Sequence, residues 1–124
     1  MPIELRYIDE SEFLVGTLTS PLTPEDFRAA METIVASDQY PEDVRTLWDG
    51  SDLDFHTISR GLLERMVEVR NDFPQRGLAR LAFVVDNDLG FGMARMYEIL
   101  SDELPQESRV FRSFKEGQDW LLKG

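Results

Sequence analysis

Apolar and polar positions alternate along residues 1–19 of the chain. In residues 3–7 and again in residues 13–17 the apolar side chains recur at every second position, and Asp9, Glu10 and Ser11 separate the two runs. Alternation at period two is typical of a strand with one buried face. The pattern therefore predicts two strands joined by a turn, forming an antiparallel hairpin at the start of a sheet.

After residue 20, the apolar positions recur with the period of an α-helix. Residues 23–26, TPED, combine a Thr that can cap a helix, a Pro at the first helical position and acids in the first turn. This pattern predicts a helix that ends near Ser37, before Pro41. Its core-facing residues are Phe27, Ala30, Met31, Ile34 and Val35.

A buried strand and a second helix are predicted next. Residues 44–48 form a short apolar run that ends at an Asp-Gly pair, and residues 51–57 read as an irregular polar loop. Thr57 is the expected cap of the following helix, with Asp54 as the alternative. The apolar positions of that helix are Ile58, Leu62, Met66, Val69 and Phe73.

The most hydrophobic run of the chain, residues 81–85, predicts a strand that is covered on both faces. Asn87 or Asp88 is expected to cap a third helix after it. Residues 109–111 predict a last strand, and the capping box at residues 113–116 predicts a terminal helix. The inward side chains of these two helices are expected to be Met93, Met96, Tyr97 and Leu100, then Trp120 and Leu121.

The order of elements is therefore ββαβαβαβα. Strands that alternate with helices indicate parallel pairing with right-handed crossovers. We expect a single α/β domain over residues 1–124, with a mixed, mostly parallel five-stranded sheet and about four helices. Ligands of such sheets bind beyond the carboxyl ends of the strands.

Composition narrows the classes of function. The chain has no cysteine, which excludes disulfides, thiolate metal sites and cysteine nucleophiles. Its formal net charge of −11 disfavours nucleic acid and anionic membrane surfaces as partners. No apolar run is long enough to span a membrane, and the first residues do not resemble a signal peptide, so we expect a cytoplasmic protein.

Four segments resemble the SpoIIAA-like family, a STAS-related group of small bacterial proteins. These are LTPED at residues 22–26, DNDLGFGMARM at 86–96, RVFR at 109–112 and DWL at 119–121. The resemblance spans nearly the whole chain. It implies a fold of successive strand-helix units, shared at a distance with anti-sigma-factor antagonists and with CRAL-TRIO carriers of apolar ligands. It implies no known reaction.

The resemblance also directs attention to two hydroxyl groups. In the antagonists, a phosphorylatable Ser or Thr begins the helix after the strand that corresponds to residues 44–48. The comparable positions here are Thr57 and Ser59, within the sequence FHTISRG at residues 55–61. The D-S-x-G motif of the antagonists is absent from this segment.

An aromatic and methionine-rich interior suggests a site for an apolar ligand, although ordinary core packing explains the same residues. We place the site between the loop at residues 49–59 and the turn at residues 86–95. Arg95 would bind a charged head group, or form an ion pair with Asp86, Asp88 or Glu98. The apolar lining is expected to be Phe55, Phe91, Met93, Met96 and Tyr97.

Three other constellations have simpler explanations. The glycines of GFGMAR at residues 90–95 resemble a dinucleotide fingerprint, but Arg95 replaces its third small residue. His56, the single histidine, could be a base for Ser51 or Ser59, although all three lie in one short loop. Acids at the expected sheet edge suit Mg²⁺ or Ca²⁺, or helix caps and turns. They are Asp49, Asp52, Asp54, Asp86 and Asp88.

The sequence thus predicts a binding module without enzymatic activity and without a cofactor or metal. Its partner would be an apolar or amphipathic small molecule, or another protein. The alternative function is that of a partner-switching module regulated by phosphorylation at Thr57 or Ser59. The oligomeric state stays open, with a homodimer among the alternatives.

Overall fold

The strands form one mixed sheet in which neighbours along the chain are also neighbours in space. The computed structural model describes residues 3–123, so residues 1, 2 and 124 of the predicted domain lie outside the described part. The first two strands are antiparallel and all later pairs are parallel. The strands are β1 (Ile3–Ile8), β2 (Phe13–Thr19), β3 (Arg45–Asp52), β4 (Arg80–Val84) and β5 (Glu107–Phe111).

In the described part of the chain, four α-helices cover the two faces of this sheet, which confirms the predicted ββαβαβαβα order. They are α1 (Pro24–Ala36), α2 (Arg60–Asn71), α3 (Asp88–Leu100) and α4 (Phe114–Leu122), with short 3₁₀ helices at Phe55–Thr57 and Pro74–Arg76. Within residues 3–123, no helix combines the length and the apolar character that a membrane crossing requires.

The core has two parts because the helices divide between the faces. On one face, buried residues of α1, α2 and α3 pack with Leu14 and Trp48 of the sheet. On the other face, Trp120 and Leu121 of α4 pack against β2, β3 and β4. The sheet is therefore the middle of three layers, and its central strands are buried on both sides.

Three helix caps agree with the sequence prediction. Thr23, Asn87 and Ser113 each accept a hydrogen bond from the backbone N–H three residues further on, at 3.1, 2.7 and 3.1 Å. Each bond satisfies an N–H group that has no partner inside the helix.

The predicted cap of α2 is wrong. Ser59, not Thr57 or Asp54, caps the helix by accepting a hydrogen bond from the Leu62 N–H at 3.1 Å. Asp54 instead caps the 3₁₀ helix, where its carboxylate accepts from the His56 N–H at 3.1 Å. The 3₁₀ turn buries Phe55, and the regular helix can begin only after the extended residue Ile58.

Two strands are longer than predicted. β3 continues through the Asp-Gly pair to Asp52, because its backbone is held from both sides: Asp49 pairs with Thr17 of β2 and with Val84 of β4. β5 begins at Glu107, which pairs with Arg80. Pairing with neighbouring strands overrides the local preference of Asp-Gly for a turn.

The hydrophobic strand β4 lies inside the sheet, as its composition predicts, between β3 and β5. Because β3 and β4 are parallel, the segments that follow them leave the sheet at the same edge. This register positions the candidate site.

Candidate functional site

The segments after β3 and β4 contact each other at the carboxyl edge of the sheet. A Cβ atom added at Gly90 would lie 2.7 Å from Cε2 of Phe55, so the absence of a side chain in α3 gives the phenyl ring its place. The backbone N–H of Asp54 donates to the Ser20 hydroxyl at 2.9 Å, which ties the same segment to the end of β2. Three connections therefore converge on one region.

An apolar cavity of about 60 Å³ lies behind these segments, between the sheet and helices α2 and α3. All of its lining residues are apolar or aromatic, and the only side-chain polar groups among them belong to Trp48 and Tyr97. The lining residues are Leu18, Leu22, Trp48, Gly50, Leu53, Phe55, Ile58, Leu63, Met66, Phe83, Val84, Val85, Met93, Ala94 and Tyr97.

Aromatic contacts fix two walls of the cavity. The Trp48 ring meets the Phe27 ring edge-on at 5.5 Å between centroids, and the Tyr97 ring meets that of Phe83 at 5.3 Å and 81°. Burial raises the pKa of the Tyr97 hydroxyl, an effect that the nearby Arg70 guanidinium opposes. Among residues 3–123, the Tyr97 hydroxyl has no hydrogen-bond partner at standard distance and angle.

The cavity includes three of the predicted apolar site residues, Phe55, Met93 and Tyr97. Phe91 lies elsewhere: it is half-buried within α3, and the Arg112 guanidinium lies 4.4 Å from its ring centroid. Met96 is also absent from the lining and packs, half-buried, against the core of the helical face.

Arg95, the predicted contact for a head group, forms an ion pair with Glu98 at 3.4 Å. Its side chain is about half exposed and does not line the cavity. The ion pair with Glu98 is one of the alternatives that the sequence offered for Arg95.

Sequence reasoning missed the contributions of β2 and α2 to the cavity. Leu18 lies near the carboxyl end of β2, and Leu22 follows that strand. Because β2 is parallel to β3, its carboxyl end lies at the same edge of the sheet as that of β3. Leu63 and Met66 come from α2. The parallel order of the strands was the signal that could have identified the first pair.

The predicted acids at this edge serve as turn and pairing residues. Asp49 accepts hydrogen bonds from the Ser51 N–H at 3.0 Å and from its hydroxyl at 2.7 Å. Asp88 forms an ion pair with Arg112 at 2.8 Å. In the described range 3–123, no three His, Cys, Asp or Glu side chains are grouped closely enough to hold a metal ion.

His56 is highly exposed, and its Nδ1 lies 3.3 Å from the Asp54 carboxylate. The Ser51 hydroxyl donates to Asp49, and the Ser59 hydroxyl accepts from the backbone of α2. Neither hydroxyl forms a hydrogen bond with the histidine in these positions, so this group does not have the geometry of a nucleophile and base.

The two glycines of the fingerprint-like segment lie inside α3, and not in a loop before it. The Gly90 N–H donates to the Asn87 side chain at 2.7 Å, so it is occupied by the helix cap. A dinucleotide fingerprint uses its glycines in the turn between strand and helix, where free N–H groups meet the pyrophosphate. The geometry therefore differs from that of a dinucleotide site.

Comparison with known proteins identifies the architecture. A solved structure of an uncharacterized DUF3478-family protein with a SpoIIAA-like fold, from Shewanella loihica, superposes with a TM-score of 0.65. The match covers 96% of this chain and 91% of that one, at 20% sequence identity. This chain has the SpoIIAA-like fold. No protein-family model and no curated protein matches it.

The SpoIIAA-like fold gives the two predicted phosphoacceptors different surroundings. Ser59 is exposed at the N-terminus of α2, the helix that follows β3. Thr57 is also exposed, but its hydroxyl donates to the Asp54 carbonyl at 2.7 Å within the 3₁₀ turn. Both belong to the segment that carries Phe55 and Ile58 into the cavity wall of the SpoIIAA-like domain.

Proposed function

We propose that this protein is a binding module without catalytic activity of its own, which takes a short apolar group into the cavity at the carboxyl edge of its sheet. The observation that carries the proposal is the cavity itself. Its lining is apolar and aromatic, and it lies where open α/β sheets bind their ligands.

The size of the cavity limits the ligand. About 60 Å³ exceeds the space of a single water molecule, roughly 10–15 Å³. It is smaller than the ~150 Å³ of an engineered apolar cavity that binds benzene. The cavity as it stands accepts a chain end of a few carbon atoms and not a whole lipid.

Two features allow the cavity to enlarge around a longer ligand. Met66 and Met93 line it with flexible side chains that adapt to different shapes. Phe55 and Ile58 come from the short irregular segment between β3 and α2, which can move more easily than the sheet. A polar end of an amphipathic ligand would remain outside, because the lining offers few polar groups.

The test is a titration with straight-chain alcohols from ethanol to octanol, in which binding is monitored by tryptophan fluorescence and by NMR chemical shifts. Trp120 lies in the other half of the core, so a Trp120→Phe background reports on Trp48 alone. Each added CH₂ should strengthen binding roughly fourfold, from about 0.8 kcal/mol per buried CH₂, until the cavity is filled.

Ala94→Leu supplies the matched variant, because Ala94 lines the cavity and a larger side chain would fill it. Binding should weaken at least tenfold. Ala29→Leu, on the exposed face of α1, is the control and should bind as the parent does. Shifts scattered over the surface, or equal binding by Ala94→Leu, would contradict the proposal.

A second function rests on the placement of Ser59. An exposed hydroxyl at the start of α2 is accessible to a kinase, and a phosphate there would be stabilised by the helix N-terminus. A partner-switching module would then alter its protein contacts on phosphorylation. A screen for binding partners in which Ser59→Asp and Thr57→Asp retain every partner of the parent protein would exclude this function.

A further inference from the structure

Two arginine side chains are buried between the sheet and its helices. Arg70 in α2 is 4% exposed and Arg76, in the second 3₁₀ helix, is 2% exposed. Within residues 3–123, neither guanidinium forms an ion pair with an Asp or Glu side chain. Buried charges are costly unless they are paired, so these two cations require an explanation.

Arg76 is held by neutral acceptors. Its Nη1 donates to the carbonyls of Glu42 and Val44 at 2.7 and 3.0 Å, and its Nη2 donates to the Thr46 hydroxyl at 2.7 Å. These bonds satisfy the donors but supply no negative charge. Burial lowers the pKa of Arg76 to about 10 and the charge of Arg70 acts in the same direction, whereas Asp43 and Tyr40 partly oppose the shift. Arg76 therefore remains protonated at neutral pH.

Arg70 is less completely satisfied. Its Nη2 donates to the side-chain oxygen of Gln106 at 3.1 Å. The Gln106 amide donates to the Gly77 carbonyl at 2.7 Å, which fixes the orientation of that side chain. The Nη1 of Arg70 is buried and forms no hydrogen bond of standard distance and angle with the described residues, although Tyr97 lies beside the guanidinium, with its ring centroid 5.5 Å from Cζ. One edge of a positively charged guanidinium therefore lacks a well-aligned acceptor.

A small space lies beside the Arg70 guanidinium. It measures about 10 Å³, which is close to the volume that one water-sized particle requires. Both arginines and Gln106 line it, and the remaining lining residues are Phe27, Met31, Trp48 and Leu81.

We propose that this space is a binding site for one monatomic anion of the halide class, held by Arg70 and flanked by Arg76. An anion would accept the free N–H bonds of Arg70 and would also neutralise part of the two buried charges. A water molecule would accept a hydrogen bond from Arg70 but would not neutralise any charge. The small volume favours a monatomic anion over phosphate, sulfate or a carboxylate, for which the arginines would have to move further apart.

The site would connect three parts of the fold. Arg70 belongs to α2, Gln106 directly precedes β5, and Arg76 is bonded to residues at the start of β3. An anion there would stabilise the folded state, because the unfolded chain cannot reproduce the arrangement. Within the described chain, Trp48 is the only residue that lines both this space and the apolar cavity, and the proposal does not depend on the function proposed for the cavity.

Crystals of the wild-type protein soaked in sodium bromide provide the direct test. An anomalous peak within hydrogen-bonding distance of Arg70 Nη1, in the space between the two arginines, is the expected result. Bromide peaks confined to the surface, or a water molecule without anomalous signal in that space, would overturn the proposal.

A solution experiment tests the same site through stability. The thermal midpoint in sodium chloride is compared with that in sodium gluconate at equal ionic strength. Wild type should melt about 4 °C higher in chloride, as expected for a roughly tenfold excess of anion over its dissociation constant. Arg70→Met should lose this difference.

Arg28→Met is the matched control, because Arg28 is exposed and already pairs with Asp72 at 2.8 Å. It should keep the chloride effect. An equal midpoint of wild type in both salts, or an undiminished effect in Arg70→Met, would overturn the proposal. If Arg70→Met does not fold, the bromide experiment decides the question with the wild-type chain.

Discussion

The indole ring of Trp48 lies directly over Gly16 of the neighbouring strand. The two residues are paired in the parallel register of β2 and β3, and a Cβ at position 16 would overlap Cε3 of the ring. Trp48 also forms part of the apolar cavity and meets Phe27 on α1. The glycine therefore determines where one wall of the cavity lies.

Gly16→Ala should destabilise the protein by about 1–3 kcal/mol, because the ring must shift within a close-packed core. Urea unfolding measures this loss. In a Trp48→Leu background the same substitution should cost less than half as much, since the ring that causes the clash is gone. Equal costs in the two backgrounds would show that the contact is not responsible.

The two glycines of α3 should respond in opposite directions to alanine. Gly90→Ala places a Cβ within 2.7 Å of the Phe55 ring and should destabilise by about 1–2 kcal/mol. Apart from the adjoining helix backbone, no atom of residues 3–123 lies within 4 Å of a Cβ added at Gly92, so Gly92→Ala should stabilise the helix by about 0.5–1 kcal/mol. Thermal melts of the two variants give the comparison, and effects of the same sign would contradict this packing.

The start of α2 can be tested at its cap. Ser59→Ala should cost about 1 kcal/mol, because the Leu62 N–H loses its side-chain acceptor. Ser59→Asp should retain most of the stability, since Asp also caps helices. Thr57→Ala, two residues earlier and exposed, should cost less than Ser59→Ala. A larger loss for Thr57→Ala in denaturant unfolding would place the cap where the sequence first suggested it.

Tyr97 should make stability depend on alkaline pH. Its pKa is raised in the folded state above the ordinary value of 10.0, so the unfolded chain releases this proton first as the pH rises. Stability from this group is complete below pH 10.0 and falls above it, by up to about 1.4 kcal/mol per pH unit. Urea unfolding of wild type and Tyr97→Phe between about pH 9 and pH 11 isolates the effect. If the free energy of unfolding depended on pH in the same way in both proteins, this role of Tyr97 would be contradicted.

Much of the architecture could be predicted from local signals. Capping residues such as Thr23 and Ser113 mark where helices begin, and the uninterrupted apolar run before Asp86 identifies an interior strand. These signals act within a few residues of each other. The predicted order of elements and the mostly parallel sheet followed from them.

The details of the site depended on contacts between distant residues. Asp49 continues β3 because strands on both sides pair with it, although an Asp-Gly pair favours a turn. Phe55 could not be placed against Gly90 without knowing how the two connections meet. Phe91 was expected in the cavity, but the helix begins early enough to turn it toward Arg112. Long-range packing decided each of these cases.

A crystal of the wild-type protein under xenon pressure tests the central claim most directly, because xenon enters dry apolar cavities. We predict one xenon atom in the space lined by Met66, Met93 and Tyr97, and its loss in Ala94→Leu. Ordered water in that space, or xenon bound only outside it, would contradict the claim that this cavity binds an apolar group.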